Sequence, residues 1–151
     1  MTELEKDTLT VRLLTADEDL GPVCEVLLEL RPQYDPAALQ AQIRKQQSAG
    51  YHLAVVERKS QVIAAAGFVL AEKLAWQTHL YVDDLVTRSS DRSSGAGHAL
   101  LSWLKDYAAQ QGCQQLHLDS GVQRFGAHRF YLREGFDISS HHFSLELDPA
   151  P

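Results

Sequence analysis

Between Arg92 and Gly97 the chain reads Arg-Ser-Ser-Gly-Ala-Gly. Directly after it, apolar residues recur at helical spacing: Leu100, Leu101, Leu104, Tyr107 and Ala108. A glycine-rich turn feeding a helix leaves several backbone N–H groups unpaired and pointing one way. They sit at the positive end of the helix dipole, so the turn is chemically suited to a phosphate or pyrophosphate. Gly95 and Gly97 fit that task because a missing Cβ lets the backbone approach a bulky anion, and Arg92 adds charge at the rim. Upstream, Asp83 and Asp84 put two adjacent carboxylates on a strand-like run from Leu80 to Thr87. Successive strand residues face opposite sides, so one of the pair is expected to face solvent or a surface cation and the other a cleft.

Two common phosphate motifs do not fit. A P-loop needs Gly-Lys-Ser/Thr at the end of its loop, and the dinucleotide fingerprint needs Gly or Ala where this chain has Leu100. The stretch resembles instead the acetyl-coenzyme A signature of the GNAT superfamily of N-acetyltransferases, Arg/Gln-x-x-Gly-x-Gly/Ala, here Arg92-Ser93-Ser94-Gly95-Ala96-Gly97.

The elements that must carry these residues follow from pattern and punctuation. Thr8 to Leu14 alternates and predicts a first strand. Thr15 and Glu18 have capping-box spacing, but Pro22 would break a helix begun there. A turn is expected, then a helix restarting near Pro22 with Val23, Leu27 and Leu30 inward. Asp35-Pro36 is a helix start, and Gly50 closes the helix that runs to about Ser48. Tyr51–Glu57 and Gln61–Leu70 read as strands around a turn at Arg58-Lys-Ser60, and Ala64–Gly67 is small enough for a helix or ligand to lie close. After the helix that follows Gly97, Gly112 marks an end. Gln115–Asp119 is another strand, Ala127–Arg133 a short helix, and Phe136–Ile138 with His142–Leu147 a last hairpin.

The order is β-α-α-β-β-β-α-β-α-β-β, a mixed α/β layout with one β-α-β crossover at the glycine turn. It resembles the GNAT fold over nearly the whole chain, a mixed and mostly antiparallel sheet in a single domain spanning residues 1–151. A second motif, Ala127-His-Arg-Phe-Tyr131-Leu-Arg-Glu-Gly135-Phe136, is similar to the family's Ala-x-x-Phe-Tyr-x-x-x-Gly-Phe. Asp84-Leu-Val-Thr87 matches the strand end before its glycine turn. Many members carry Asn where this chain has Arg124, and Pro where it has Ser89. The C-terminal third is also similar to bacterial aminoalkylphosphonate N-acetyltransferases, which favours small primary amines as acceptors.

The resemblance implies a division of labour. Residues Arg92, Ser93, Ser94, Gly95, Ala96 and Gly97 would hold the pyrophosphate of acetyl-coenzyme A, with Arg124 and Ala127 at the cofactor. The main chain of Leu85, Val86 and Thr87 would bond the pantetheine arm, and one of its N–H groups would face the thioester oxygen. In the family the strands either side of the crossover splay apart there, and the acyl arm fills the gap. Tyr131 would be the general acid, since a phenol can protonate a departing thiolate; without the motif it reads as a core aromatic on an amphipathic helix. Asp84 is the expected base for an amine that arrives as ammonium, with His142 as the competing base and a solvated acid pair as the bland reading. Arg31 and Tyr34 lie on the connection that covers the acceptor side in relatives and could hold an anionic or polar acceptor; a plain helix-end Arg and a half-buried Tyr is the competing reading.

The expected activity is transfer of an acetyl group to a primary amine of a small metabolite, by direct attack in a ternary complex. Acetylation of a protein N-terminus or lysine is one alternative, and a non-catalytic acyl-coenzyme A sensor is another. A length of 151 residues, 44% hydrophobic and 23% charged, suits one ordinary globular domain. The net charge of −6 argues against nucleic-acid or anionic-membrane partners. Cys24 and Cys113 lack framework or C-x-x-C spacing, so reduced thiols in the cytoplasm are expected, filling space as small apolar groups. His141 and His142 with His79, His117 or His128 lack ligand spacing, so no metal is expected and sheet-facing or surface histidines are preferred. Dimerisation is common in the family, and a homodimer is compatible with the sequence.

Overall fold

The computed structural model describes residues 8–148. The described residues fall into two compact units, one ending at Leu118 and the other beginning at Asp119. The first opens with β1 (Thr10–Leu13), α1 (Gly21–Leu30) and α2 (Pro36–Gln47). It continues through β2 (Tyr51–Arg58), β3 (Gln61–Lys73), β4 (Gln77–Thr87), a single 3-10 turn at Ser89–Asp91, α3 (Ala96–Gln110) and β5 (Gln115–Leu118). The strands form one sheet in the order β1-β2-β3-β4-β5. Every neighbouring pair is antiparallel except β4 and β5, which run parallel and are joined through α3.

Local chemistry sets the boundaries. The Thr15–Glu18 pair makes a turn rather than a helix: Glu18 accepts from the Thr15 N–H at 3.1 Å, and α1 begins only at Gly21, with Pro22 in its first turn where no N–H is needed. Asp35 caps α2 by accepting from the Ala38 N–H at 2.8 Å. Lys59 and Ser60 both take positive φ, 52° and 63°, as a tight two-residue hairpin between β2 and β3 requires.

Pleating sends alternate residues of β2 and β3 to two different layers. Leu53, Val55 and Ala65 pack with Val23, Cys24 and Leu27 of α1 and Leu39 and Ile43 of α2. On the opposite face Phe68 meets Trp103 and Tyr107 of α3 edge-on, at centroid separations of 6.4 and 5.6 Å. Leu30 is only partly buried; Val26 and Leu27 are the buried residues in the last turns of α1.

The second unit contains α4 (Phe125–Arg133), ended by Gly135 at φ 97°. The hairpin expected from Phe136–Ile138 and His142–Leu147 is not formed: residues 136–148 carry no strand. The alternation is real, but a strand exists only with a bonded partner, and a lone two-stranded hairpin is marginal in water. Ile138, Phe143, Leu145 and Leu147 are accordingly exposed.

Candidate active site

The glycine turn folds as its composition requires. Gly95 is the N-cap of α3 at φ 89°, ψ 2°, and a Cβ there would meet only the Leu9 Cδ1 atom, at 4.0 Å. Ser93 also lies at positive φ, 68°, an uncommon state for a residue with a side chain. The Ser94 hydroxyl accepts from the Ala96 N–H at 3.3 Å. Gly95 at the N-cap has no side chain to cap the helix, and by helix geometry the first-turn donors have no carbonyl partner within it. Arg92 is exposed beside them. The backbone is therefore open to an anion at Gly95, as a pyrophosphate needs.

A buried carboxylate braces this loop. Asp91 pairs with Arg58 of β2 and with Arg88, whose Nε lies 2.7 Å from Oδ2, and accepts from the Ser90 hydroxyl at 3.1 Å. Burial alone would raise its pKa; the Arg88 and Ser90 hydrogen bonds and the two guanidinium charges outweigh that and lower it.

The edge of β4 is where the parallel ladder stops. Pairing with β5 ends at Val82–Leu118, while β4 continues through Leu85, Val86 and Thr87, which remain bonded to Ala66, Ala65 and Ala64 of β3. On their β5 side, these backbone groups have no ladder partner in that sheet.

On the α1–α2 face the same strand carries the polar cluster. Asp84 lies opposite Gly67, and the register slips between Gly67 and Phe68, so that Asp83 is the extra residue of a β-bulge. Arg31, just past the end of α1, donates from Nε to Asp84 Oδ1 at 3.0 Å and from Nη2 to the Asp83 carbonyl at 3.1 Å. Tyr51 donates its hydroxyl to Asp84 Oδ2 at 2.7 Å. Gly67 makes room for it: a Cβ there would lie 1.6 Å from the Tyr51 oxygen. Burial first, then the Asp84 charge and hydrogen bond, push the Tyr51 phenol far above its ordinary pKa, so it stays a donor. Asp83 is exposed, whereas Asp84 lines a cavity; desolvation first, then the Asp84 charge, raise the Asp83 pKa. Arg31, Tyr34, Tyr51 and Asp84 line one cavity of about 130 Å³, with Leu27, Leu39 and Ile43 as apolar wall.

In the second unit Tyr131 is the buried residue of α4, with Phe130 and Phe136 rings at 5.5 and 6.0 Å. Burial raises its phenol pKa, and the Arg124 charge partly offsets the rise. Arg124 is the N-cap position of α4, and its carbonyl accepts from the His128 N–H. Ala127 is half-buried in the next turn. His142 is exposed, its Nδ1 3.5 Å from Asp119. In the first unit His79 and His117 face Trp76, which stacks on His117 at 3.5 Å. Among the described residues no group of three or more His, Cys, Asp or Glu is placed to hold a metal.

Comparison with known proteins decides the family, because residues 16–136 match the Acetyltransferase (GNAT) family. The chain belongs to it. It is 33% identical over 138 residues to the uncharacterized N-acetyltransferase YhdJ of Bacillus subtilis, covering 88% of this chain and 95% of that protein. It is 36% identical over 66 residues to the aminoalkylphosphonate N-acetyltransferase of Salmonella typhimurium, covering 44% and 43%. The aminoglycoside acetyltransferase AAC(6')-Iy, solved with a bisubstrate analogue of coenzyme A, shares the fold at TM-score 0.79 and 12% identity, covering 95% of this chain and 100% of that one. The protein is thus an acetyltransferase that acts on amines with acetyl-coenzyme A as donor.

Within this GNAT chain, Arg31, Tyr34 and Asp84 were all legible in the sequence, and the structure brings them to one cavity. Tyr51 and Asp91 were not. Tyr51 reads as an ordinary strand aromatic, and only the glycine opposite its hydroxyl, Gly67, hints at a ring laid across the sheet. Asp91 reads as loop polarity until its two arginines are seen.

Proposed function

We propose that this chain acetylates the primary amine of a small metabolite by direct attack, with both substrates bound and no acyl-enzyme. The observation that carries the reading is the Arg31–Asp84–Tyr51 cluster, whose Asp84 stands on β4 beyond the end of its ladder with β5. Acetyl-coenzyme A, when bound, supplies an acetyl thioester. The main chain of Leu85 to Thr87 holds the pantetheine arm, and Arg92 to Gly97 the pyrophosphate, with Arg124 and Ala127 as further contacts. Asp84 takes the proton of the incoming ammonium, held in place by Arg31 and Tyr51 while Tyr34 lines the acceptor side. Tyr131 gives its proton to the departing thiolate, and burial, which raises its pKa, keeps the phenol protonated until then. Two free thiols and an acidic composition fit a reducing, cytoplasmic setting.

The test is release of free thiol from acetyl-coenzyme A over a panel of small amines and peptides. Turnover on small amines alone supports the reading. Turnover on peptides alone makes the chain a protein acetyltransferase, and saturable cofactor binding with no thiol release on any amine makes it a sensor.

A further inference from the structure

The cavity's one cation already has a carboxylate partner. Arg31 is the sole cation among its lining residues, and its Nη2 and Nε atoms lie 2.9 and 3.0 Å from Asp84 Oδ1. The same Nη2 also serves the Asp83 carbonyl. A phosphate, phosphonate or carboxylate on the acceptor would find no cation there that a carboxylate does not already neutralise, so the wall offers it little net attraction to replace its water.

The rest of the polar wall is neutral and works in both directions. Gln42 donates from Nε2 to Gln46 Oε1 at 3.0 Å, which leaves the Gln42 carbonyl as an acceptor and the Gln46 amide as a donor. Gln33 and the Tyr34 hydroxyl complete the set. Side-chain amides and phenols of this kind pair with hydroxyl groups, which likewise donate and accept.

We infer that the acceptor is a hydroxylated primary amine whose ammonium is its one charge, an amino sugar or amino alcohol, and not an amine bearing a phosphate, phosphonate or carboxylate. The inference rests on reading the cavity as the acceptor site. It sets this chain apart from the partial likeness to an enzyme named for aminoalkylphosphonates.

The experiment uses matched pairs with the full chain and acetyl-coenzyme A: 2-aminoethanol against 2-aminoethylphosphonate, and glucosamine against glucosamine 6-phosphate. The expected result is a kcat/KM at least 10-fold higher for the unphosphorylated member of each pair. In Gln46→Lys, which adds an unpaired cation at the wall, that ratio falls several-fold toward one. Equal or better turnover of the phosphorylated members overturns the inference and leaves the acetyltransferase reading standing. Absence of thiol release with all four amines, while acetyl-coenzyme A still binds, overturns the proposed function and the inference with it.

Discussion

Tyr131 and Tyr51 are both buried phenols raised above their usual pKa, and they are assigned opposite tasks. Tyr51 donates its proton to Asp84 in a hydrogen bond; Tyr131, which has no such carboxylate partner among the described residues, is the proposed donor of a proton to the leaving thiolate. Tyr131→Phe should therefore lower kcat by roughly 10²–10³-fold, the usual worth of a general acid, with acetyl-coenzyme A affinity unchanged. Because the folded pKa is raised, the acid form persists through neutral pH, and wild-type kcat should decline only as pH climbs past the ordinary phenol range near about 10. Unchanged kcat in the Phe variant would remove Tyr131 from the mechanism. The notch at Gly67 gives a complementary test. Gly67→Ala places a methyl where the Tyr51 hydroxyl lies, so the ring must leave Asp84; thermal unfolding should show a loss of about 1–3 kcal/mol, and acceptor KM should rise.

At the scale of elements, the brace between the β2–β3 hairpin and the loop before α3 is Asp91. Arg58 and Arg88 are each about a third open to water (31% and 33%), while Asp91 is closed (3%). Solvent screening discounts the pairs, so Asp91→Asn should cost about 1–3 kcal/mol rather than the larger figure for a fully buried network, and should raise the KM for acetyl-coenzyme A by loosening the turn. The folded pKa of Asp91 lies below its unfolded value, so its contribution is present above about pH 4 and is lost as pH falls through the folded pKa. An acid titration followed by circular dichroism should find the Asn variant less sensitive than wild type between about pH 4 and 2.

Elements with their own punctuation are legible in the sequence. Asp35-Pro36 caps a helix, Lys59-Ser60 makes a turn, and the glycine turn feeds α3, which begins one residue before the Gly97 that the sequence suggests, because each of these is decided by residues a few positions apart. The final hairpin was not legible, since the alternation around Phe143 and Leu145 specifies a face and not a partner. The bulge at Asp83 escaped for a related reason: it is a mismatch of count between β3 and β4, which neither strand shows alone.

For the whole molecule, a net charge of −6 sets a constraint on the donor site. The overall field repels a polyanionic cofactor, so affinity has to come from local groups: the α3 N-terminus, the open backbone at Gly95 and the exposed Arg92. That local capture is the central claim, since family membership explains an acetyltransferase and the turn explains how this chain would hold its donor. Equilibrium dialysis of labelled acetyl-coenzyme A against the full chain tests it most directly, comparing wild type with Gly95→Val. A Val at φ 89° strains the turn and closes the approach to the phosphates. Saturable one-site binding to wild type, weakened at least 10-fold in the variant, is the predicted result. Absence of saturable binding up to millimolar cofactor, or undiminished binding to Gly95→Val, would contradict it.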